Sequence, residues 1–221
     1  FTHAKYGLPE LHKEAIASGR LVANPGCYPT ASILALAPLF AKKAVDVNSI
    51  IIDAKSGITG AGIKPSLTSH FSNVNENFKA YGLKNHRHTV EIEEQLGKLN
   101  NKTITFQFTT HLLTVDRDIL VTAYATPNSI MSEAELINIY KEFYAHSPFI
   151  RLKEDLPTIK DVRGSNFCDI YPVLDLRTNR IIVISAIDNL VKGAAGQAIH
   201  NMNLMFDLPE TTGLLLNPIK P

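Results

Sequence analysis

Between residues 30 and 43 the apolar side chains fall at 33, 34, 36, 37 and 40, a spacing of three to four that predicts a helix. Pro38 inside that run predicts a kink. Pro9 to Ser18 reads as a shorter helix, with Pro9 suited to its first turn and Gly19 to its stop. Thr89 to Leu99 is amphipathic, with Ile92, Leu96 and Leu99 expected inward. Ser132 and Glu135 have capping-box spacing ahead of Leu136, Ile139, Tyr140 and Phe143. The last helix is expected from about Gly193 to Asp207, with Ala195, Ala198, Ile199, Met202 and Met205 on one side. Strand patterns occupy Arg20 to Ala23, Ser49 to Ala54, and about 103–110 and 118–126. "DIYPVLDLR" and "RIIVISAI" flank Thr178-Asn179 and predict an antiparallel hairpin. Helices and strands mix without strict alternation, which predicts an α+β fold around a mostly antiparallel mixed sheet. No internal repeat or low-complexity linker interrupts the chain.

Composition narrows the classes of partner. The 221 residues carry a net charge of +1, which leaves no broad basic field for nucleic acid. No apolar run has the length of a membrane span. Two cysteines, Cys27 and Cys168, make no disulfide framework and suit a reducing, cytoplasmic setting. The chain starts at Phe1 without a Met or a signal peptide, and the expectation is that an upstream part is missing.

One cysteine stands out by its neighbours. In "VANPGCYPTASILALAPLF" it sits in a Pro/Gly turn at the mouth of a helix. A helix N-terminus offers free N–H groups and the positive end of the dipole, and both favour a thiolate. The same N–H groups can hold an oxyanion formed when sulfur attacks a carbonyl. Packing as a small buried hydrophobe is the other reading of Cys27, and local pattern does not separate the two.

A nucleophile needs a base, and "KNHRHTVEIEEQL" offers His86 and His88 just ahead of a helix. Helix capping and plain solvation are the structural alternatives for the two imidazoles. Zinc held by His86, His88, His111 and Cys27 is disfavoured, because no carboxylate or CxxC accompanies the HxH spacing. "SGITGAG" (56–62) could cradle an anion through backbone N–H groups, or be a flexible turn after a strand. It is neither a dinucleotide fingerprint nor a P-loop. The glycine pair in "DNLVKGAAGQAIHNMN" allows close approach of a ligand or of another helix.

With these residues in view the chain resembles a family. "VANPGCYPTASILALAP" looks like the active-site signature of the N-acetyl-γ-glutamyl-phosphate reductases, relatives of aspartate-semialdehyde dehydrogenase. "SGITGAG", "AYGLKNHRHTVEI", "THLLTVDRDIL", "VRGSNFCDI" and "AIDNLVKGAAGQAIHNMN" resemble further blocks in the same order, from about Tyr6 to the end.

The resemblance implies NADPH-dependent reduction of N-acetyl-L-glutamyl 5-phosphate to the 5-semialdehyde through a Cys27 thioester, in arginine biosynthesis. It implies that His86 is the acid/base. It assigns Ser56, Gly57, Arg87, His88 and Arg117 to substrate and phosphate binding. Asn189, Lys192 and Gly193 fall to the NADP(H) side, and no metal is implied. The fold implied is the C-terminal domain of glyceraldehyde-3-phosphate-dehydrogenase-like enzymes, with remnants of a Rossmann domain at both ends. Residues 1–26 would be the tail of the nucleotide domain, 27–192 the catalytic and dimerisation domain, and 193–221 a helix and tail packing back toward the nucleotide domain. Without that domain the last helix should expose an apolar face. A homodimer or homotetramer is expected.

The chain departs from the family pattern at Thr59, Ile63, Val90, Thr110, Thr114 and Asp118. These positions bear on the shape of the pocket and leave the proposed nucleophile and base in place. The lysine-pathway reductase acting on a carrier-bound aminoadipyl phosphate is the alternative substrate reading. An inactive dimerisation module and a Cys/His hydrolase are the alternative classes.

Overall fold

Residues 3–219 are described by a computed structural model of the chain. Strand β1 (Lys5–Tyr6), helix α1 (Pro9–Ala17) and strand β2 (Val22–Ala23) come first. Then follow α2 (Cys27–Ala41), β3 (Val45–Ser56), a 3₁₀ turn at Ile58–Ala61, α3 (Phe71–Val74) and β4 (Lys79–Tyr81). The middle holds α4 (His88–Asn100), β5 (Gln107–Leu112), β6 (Ile119–Pro127), α5 (Glu133–Phe143) and β7 (Ile150–Leu152). The end holds β8 (Cys168–Asp175), β9 (Arg180–Ile187), a π-helical turn at Val191–Ala195 and α6 (Gly196–Met205).

The main sheet has seven strands in the order β4-β5-β3-β6-β9-β8-β7. Only β3/β5 and β7/β8 are parallel, so the sheet is mixed and mostly antiparallel, as expected. Alternation along the strands decides which face is covered. Ile50, Ile52 and Ala54 of β3, Val121 and Ala123 of β6, and Ile181 and Val183 of β9 are buried under α2, with α4 and α5 flanking it. Ile51 of β3 and its cross-strand neighbour Tyr124 point the other way, where no helix among the described residues covers them. The hairpin β8/β9 turns at Asn179, which adopts a left-handed φ of 51°.

Helix α2 is buried almost all round. It continues through Pro38 to Ala41. Proline removes the N–H that would bond the carbonyl four residues back, here that of Leu34. The Tyr144 hydroxyl donates to that carbonyl at 2.5 Å, and Tyr140 donates to the next one, Ala35 O, at 2.6 Å. The lost backbone bond is replaced from α5 and the residue that ends it.

The strand expected at about 103–110 starts later, because its ladder with β3 begins only at Gln107. The last helix begins as the π turn and runs only to Met205. Its apolar side, Ala195, Ala198, Ile199, Met202 and Met205, is exposed or half-buried, as expected of it without a covering domain. Gln197, His200, Asn201 and Asn203 are buried, while Ile199 and Met202 are 39% and 44% exposed. The polar side turns in because each amide finds a carbonyl. Gln197 and Asn201 donate to Gly7 O at 2.8 and 2.9 Å, and Asn203 donates to Glu210 O and Thr212 O. Helix α6 thereby packs on α1 and beside the small parallel pair β1/β2.

Candidate active site

Cys27 is the first helical residue of α2, with Gly26 as the N-cap. Helix α2 ends, in the N-terminal direction, at a cavity of about 300 Å³. Cys27 and Tyr28 form one wall. Ser56, Gly57, Gly60 and Ala61 form another, and His86, Arg87 and His88 a third. The structure thus brings the cysteine motif, the glycine loop and the HRH motif together, although they lie far apart in the chain.

The approach of these walls is close. A side chain at Gly26 would place its Cβ 2.5 Å from His88 Nε2, so His88 packs directly against the residue before the thiol. Gly193 presses from the other side, where an added Cβ would lie 2.7 Å from Cys27 Cβ. Both glycines are needed for contact rather than for turning. The His86 and His88 rings lie 5.0 Å apart, and Tyr28 meets His86 edge-on at 5.4 Å. His86 Nδ1 accepts the backbone N–H of His88 at 3.2 Å, which puts the single proton of the neutral ring on Nε2.

Burial sets the protonation states. It pushes the Cys27 thiol up, against the pull of the Tyr28 and Cys27 backbone N–H groups and the Arg87 charge. The helix N-terminus therefore does not by itself make a resting thiolate, contrary to the sequence-based expectation. Desolvation is the larger effect. Burial and then Arg87 lower His86. Burial, His86 and Arg87 lower His88 to about 4. Near neutral pH a protonated thiol thus shares the cavity with uncharged imidazoles.

The remaining candidates separate. Ser56 is buried and its hydroxyl donates to Gly57 O at 2.9 Å. Arg87 stands exposed at the cavity with no carboxylate partner among the described residues. Arg117 is not in the wall. Its backbone abuts Gly57, and its guanidinium pairs with Asp188 at 2.6 Å. Asn189 accepts the Asp118 N–H at 2.6 Å and donates to Thr59 at 3.1 Å. Lys192 is fully buried, paired with Glu10 at 2.6 Å and lying over the Phe149 ring. Of the three residues expected on the cofactor side, only Gly193 reaches the thiol. Among the described residues no cluster of metal-ligating side chains occurs, and no helix is long and apolar enough to cross a membrane.

The cavity also holds residues that the sequence did not single out: Thr68, Lys79, Tyr81 and Leu112. The Tyr81 hydroxyl donates to that of Tyr28 at 3.0 Å, which donates in turn to His111 O at 3.2 Å. The alternating residues of "KAY" were the available signal, too short to read as a strand.

Residues 27–189 match the family model described as semialdehyde dehydrogenase, dimerisation domain. The chain belongs to this semialdehyde dehydrogenase family. Proteins named N-acetyl-gamma-glutamyl-phosphate reductase are similar over nearly its whole length. The one from Desulforudis audaxviator is 53% identical over 220 residues, covering 99% of this chain and 64% of its own length. That from Symbiobacterium thermophilum is 54% identical over 222 residues, with the same coverage. The chain therefore spans a little under two thirds of these curated relatives. In fold, this family member resembles the solved aspartate semialdehyde dehydrogenase II of Vibrio cholerae, at a TM-score of 0.72 and 18% identity over 93% of this chain and 69% of that one. The Francisella tularensis aspartate semialdehyde dehydrogenase gives 0.68 and 14% identity, over 91% and 71%. The resemblance read from the motifs is thus borne out.

Proposed function

We propose that the chain carries the acyl-transfer centre of an N-acetyl-γ-glutamyl-phosphate reductase, with Cys27 as nucleophile. The observation that carries this reading is the cavity shared by Cys27 with His86, Arg87 and His88. Similarity over nearly the whole of this chain to proteins of that name supports the substrate.

An imidazole takes the Cys27 proton, and the thiolate attacks the acyl-phosphate carbonyl carbon. A C–S bond forms, the C–O bond to phosphorus breaks, and inorganic phosphate leaves with the bonding pair. The open helix N-terminus at Cys27 and Tyr28 holds the carbonyl oxygen as it becomes negative. Arg87, unpaired at the rim, suits the departing phosphate through its two-pronged donor geometry. We assign the proton transfer to His86, whose Nδ1 gives up the His88 N–H in order to accept the proton. His88 is the second candidate, because its Nε2 lies against Gly26. A reduced nicotinamide, NADPH on this reading, supplies hydride to the thioester when bound. Asn189 and Lys192 already spend their polar groups inside the protein and do not fit as contacts for it. Segments 1–26 and 193–221 are read as belonging with a nucleotide domain, and the protein as a cytoplasmic homodimer or homotetramer paired through the bare sheet face.

The acylation half-reaction tests the proposal without any hydride donor. Mixed with N-acetyl-γ-glutamyl phosphate, the chain should release one phosphate per Cys27 and gain the acyl mass on the peptide containing Cys27. Cys27→Ser should abolish both and remain folded. His86→Ala should lower the rate at saturating substrate by about 10²-fold or more, the range for lost acid/base catalysis. Phosphate release that survives in Cys27→Ser would reject the mechanism. An effect of His88→Ala larger than that of His86→Ala would move the proton transfer to His88.

A further inference from the structure

Glu91 has no part in the reaction just described, yet it lies at the root of the nucleophile. One of its oxygens, Oε1, accepts the backbone N–H of Gly26 at 3.0 Å and the hydroxyl of Tyr6 at 2.8 Å. Gly26 is the N-cap of α2, immediately before Cys27. In an ordinary capping box the residue at N3 reaches back to the N-cap N–H. Here N3 is Pro29, which cannot do so. Glu91 performs that task from another helix. It sits in the first turn of α4, one turn after His88 on the same face.

We propose that Glu91 is a positioning residue that fixes the spacing between the thiol of Cys27 and the imidazoles of the HRH motif. A single carboxylate oxygen ties together the N-cap of the helix bearing the nucleophile, the start of the helix bearing the histidines, and β1 through Tyr6. Charge-assisted bonds of this kind are roughly twice as strong as neutral ones. The clamp carries an electrostatic penalty, because a carboxylate beside the thiol opposes thiolate formation. Arg87 acts in the opposite sense on the same sulfur. The other titratable groups lining the cavity with Cys27 are His86, His88, Lys79, Tyr28 and Tyr81.

The inference rests on Cys27 being the nucleophile, but its test does not need the reductase reaction. Glu91→Gln keeps an oxygen able to accept both bonds and removes the charge. Glu91→Ala removes both. Alkylation of Cys27 by iodoacetamide is followed against pH in the full chain by peptide mass spectrometry. Glu91→Gln should shift the profile to lower pH by about half a unit to one unit, a roughly three- to tenfold faster reaction near neutrality. In the acylation assay Glu91→Gln should keep the rate within about threefold, while Glu91→Ala should lose about tenfold or more with KM little changed. A pH profile unmoved by Glu91→Gln, or full acylation by a folded Glu91→Ala, would overturn the proposal. If Glu91→Ala fails to fold, the Glu91→Gln profile decides alone. Failure of wild-type acylation with an intact alkylation shift would reject the reductase reading and leave the clamp standing.

Discussion

His88 shows at residue scale how the site is held uncharged. Its ring is wedged between Gly26 and Tyr28, and burial, His86 and Arg87 bring it down to about 4. An unfolded chain would bind a proton on the same imidazole near pH 6.5. Between those values the unfolded state carries more protons than the folded state. Stability from this residue is therefore complete above about 6.5 and is lost as the pH falls toward 4. His88→Asn should flatten the fall of the urea midpoint over that window. His12, His86 and His200 are lowered in the same direction and will leave a residual slope. An identical slope in His88→Asn would mean that its ring is freely protonated in the fold. Cys27 and the HRH motif were legible because each announces its chemistry within a few consecutive residues. Arg117 and Lys192 were not, because the carboxylates that claim them, Asp188 and Glu10, are distant in sequence. Glu91 was read only as part of an amphipathic helix, since nothing local marks the contact with Gly26.

The elements themselves were mostly readable, and the departures have definite causes. Periodicity predicted α2, and the helix runs on through Pro38, where a tyrosine from beyond α5 bonds the Leu34 carbonyl. A proline says which bond is lost, and only the fold says what replaces it. This makes a paired prediction. Tyr144→Phe should destabilise the chain by about 1–3 kcal/mol, the cost of a buried carbonyl left without a donor. Adding Pro38→Ala should recover much of that loss, because the restored N–H can bond Leu34 O. Urea denaturation of the single and double variants measures the coupling. Strictly additive effects would show that the Tyr144 hydroxyl does not stand in for the missing N–H. In helix α6 the apolar side lies outward, as expected of it without a covering domain, and Gln197, Asn201 and Asn203 take the interior by bonding carbonyls of Gly7, Glu210 and Thr212. The NH₂ groups of these buried amides are paired while their oxygens are not, and such pairing is invisible to a count of hydrophobic positions. The short strands β1, β4 and β7 exist only through their neighbours in the sheet, so no isolated pattern betrays them.

At the scale of the molecule the sheet divides two tasks. Its helix-covered side anchors α2 and so presents Cys27. Its other side runs bare across Ile51, Tyr124, Ile182 and Val173, which are neighbours through successive register pairs. Ile51 is 39% exposed there, and the others are half-buried by the strands themselves. A contiguous apolar stripe of this kind marks an interaction surface. The family to which residues 27–189 belong is described as a dimerisation domain. We therefore expect two copies to pair across this face. Ile182 lies on β9 at its centre, so Ile182→Glu would put a charge into the contact without entering the core under α2. Burying an unpaired carboxylate is unfavourable by several kcal/mol, enough to dissociate an ordinary interface. Sedimentation velocity should show the wild-type chain as a dimer or tetramer and Ile182→Glu shifted to monomer, with its circular dichroism unchanged. Ile63→Glu, at a side chain 99% exposed and outside the sheet, should keep the wild-type mass. Because the cavity opens on the covered side, monomeric Ile182→Glu should still alkylate at Cys27. Retention of the oligomer in Ile182→Glu would place the subunit contact elsewhere on the molecule.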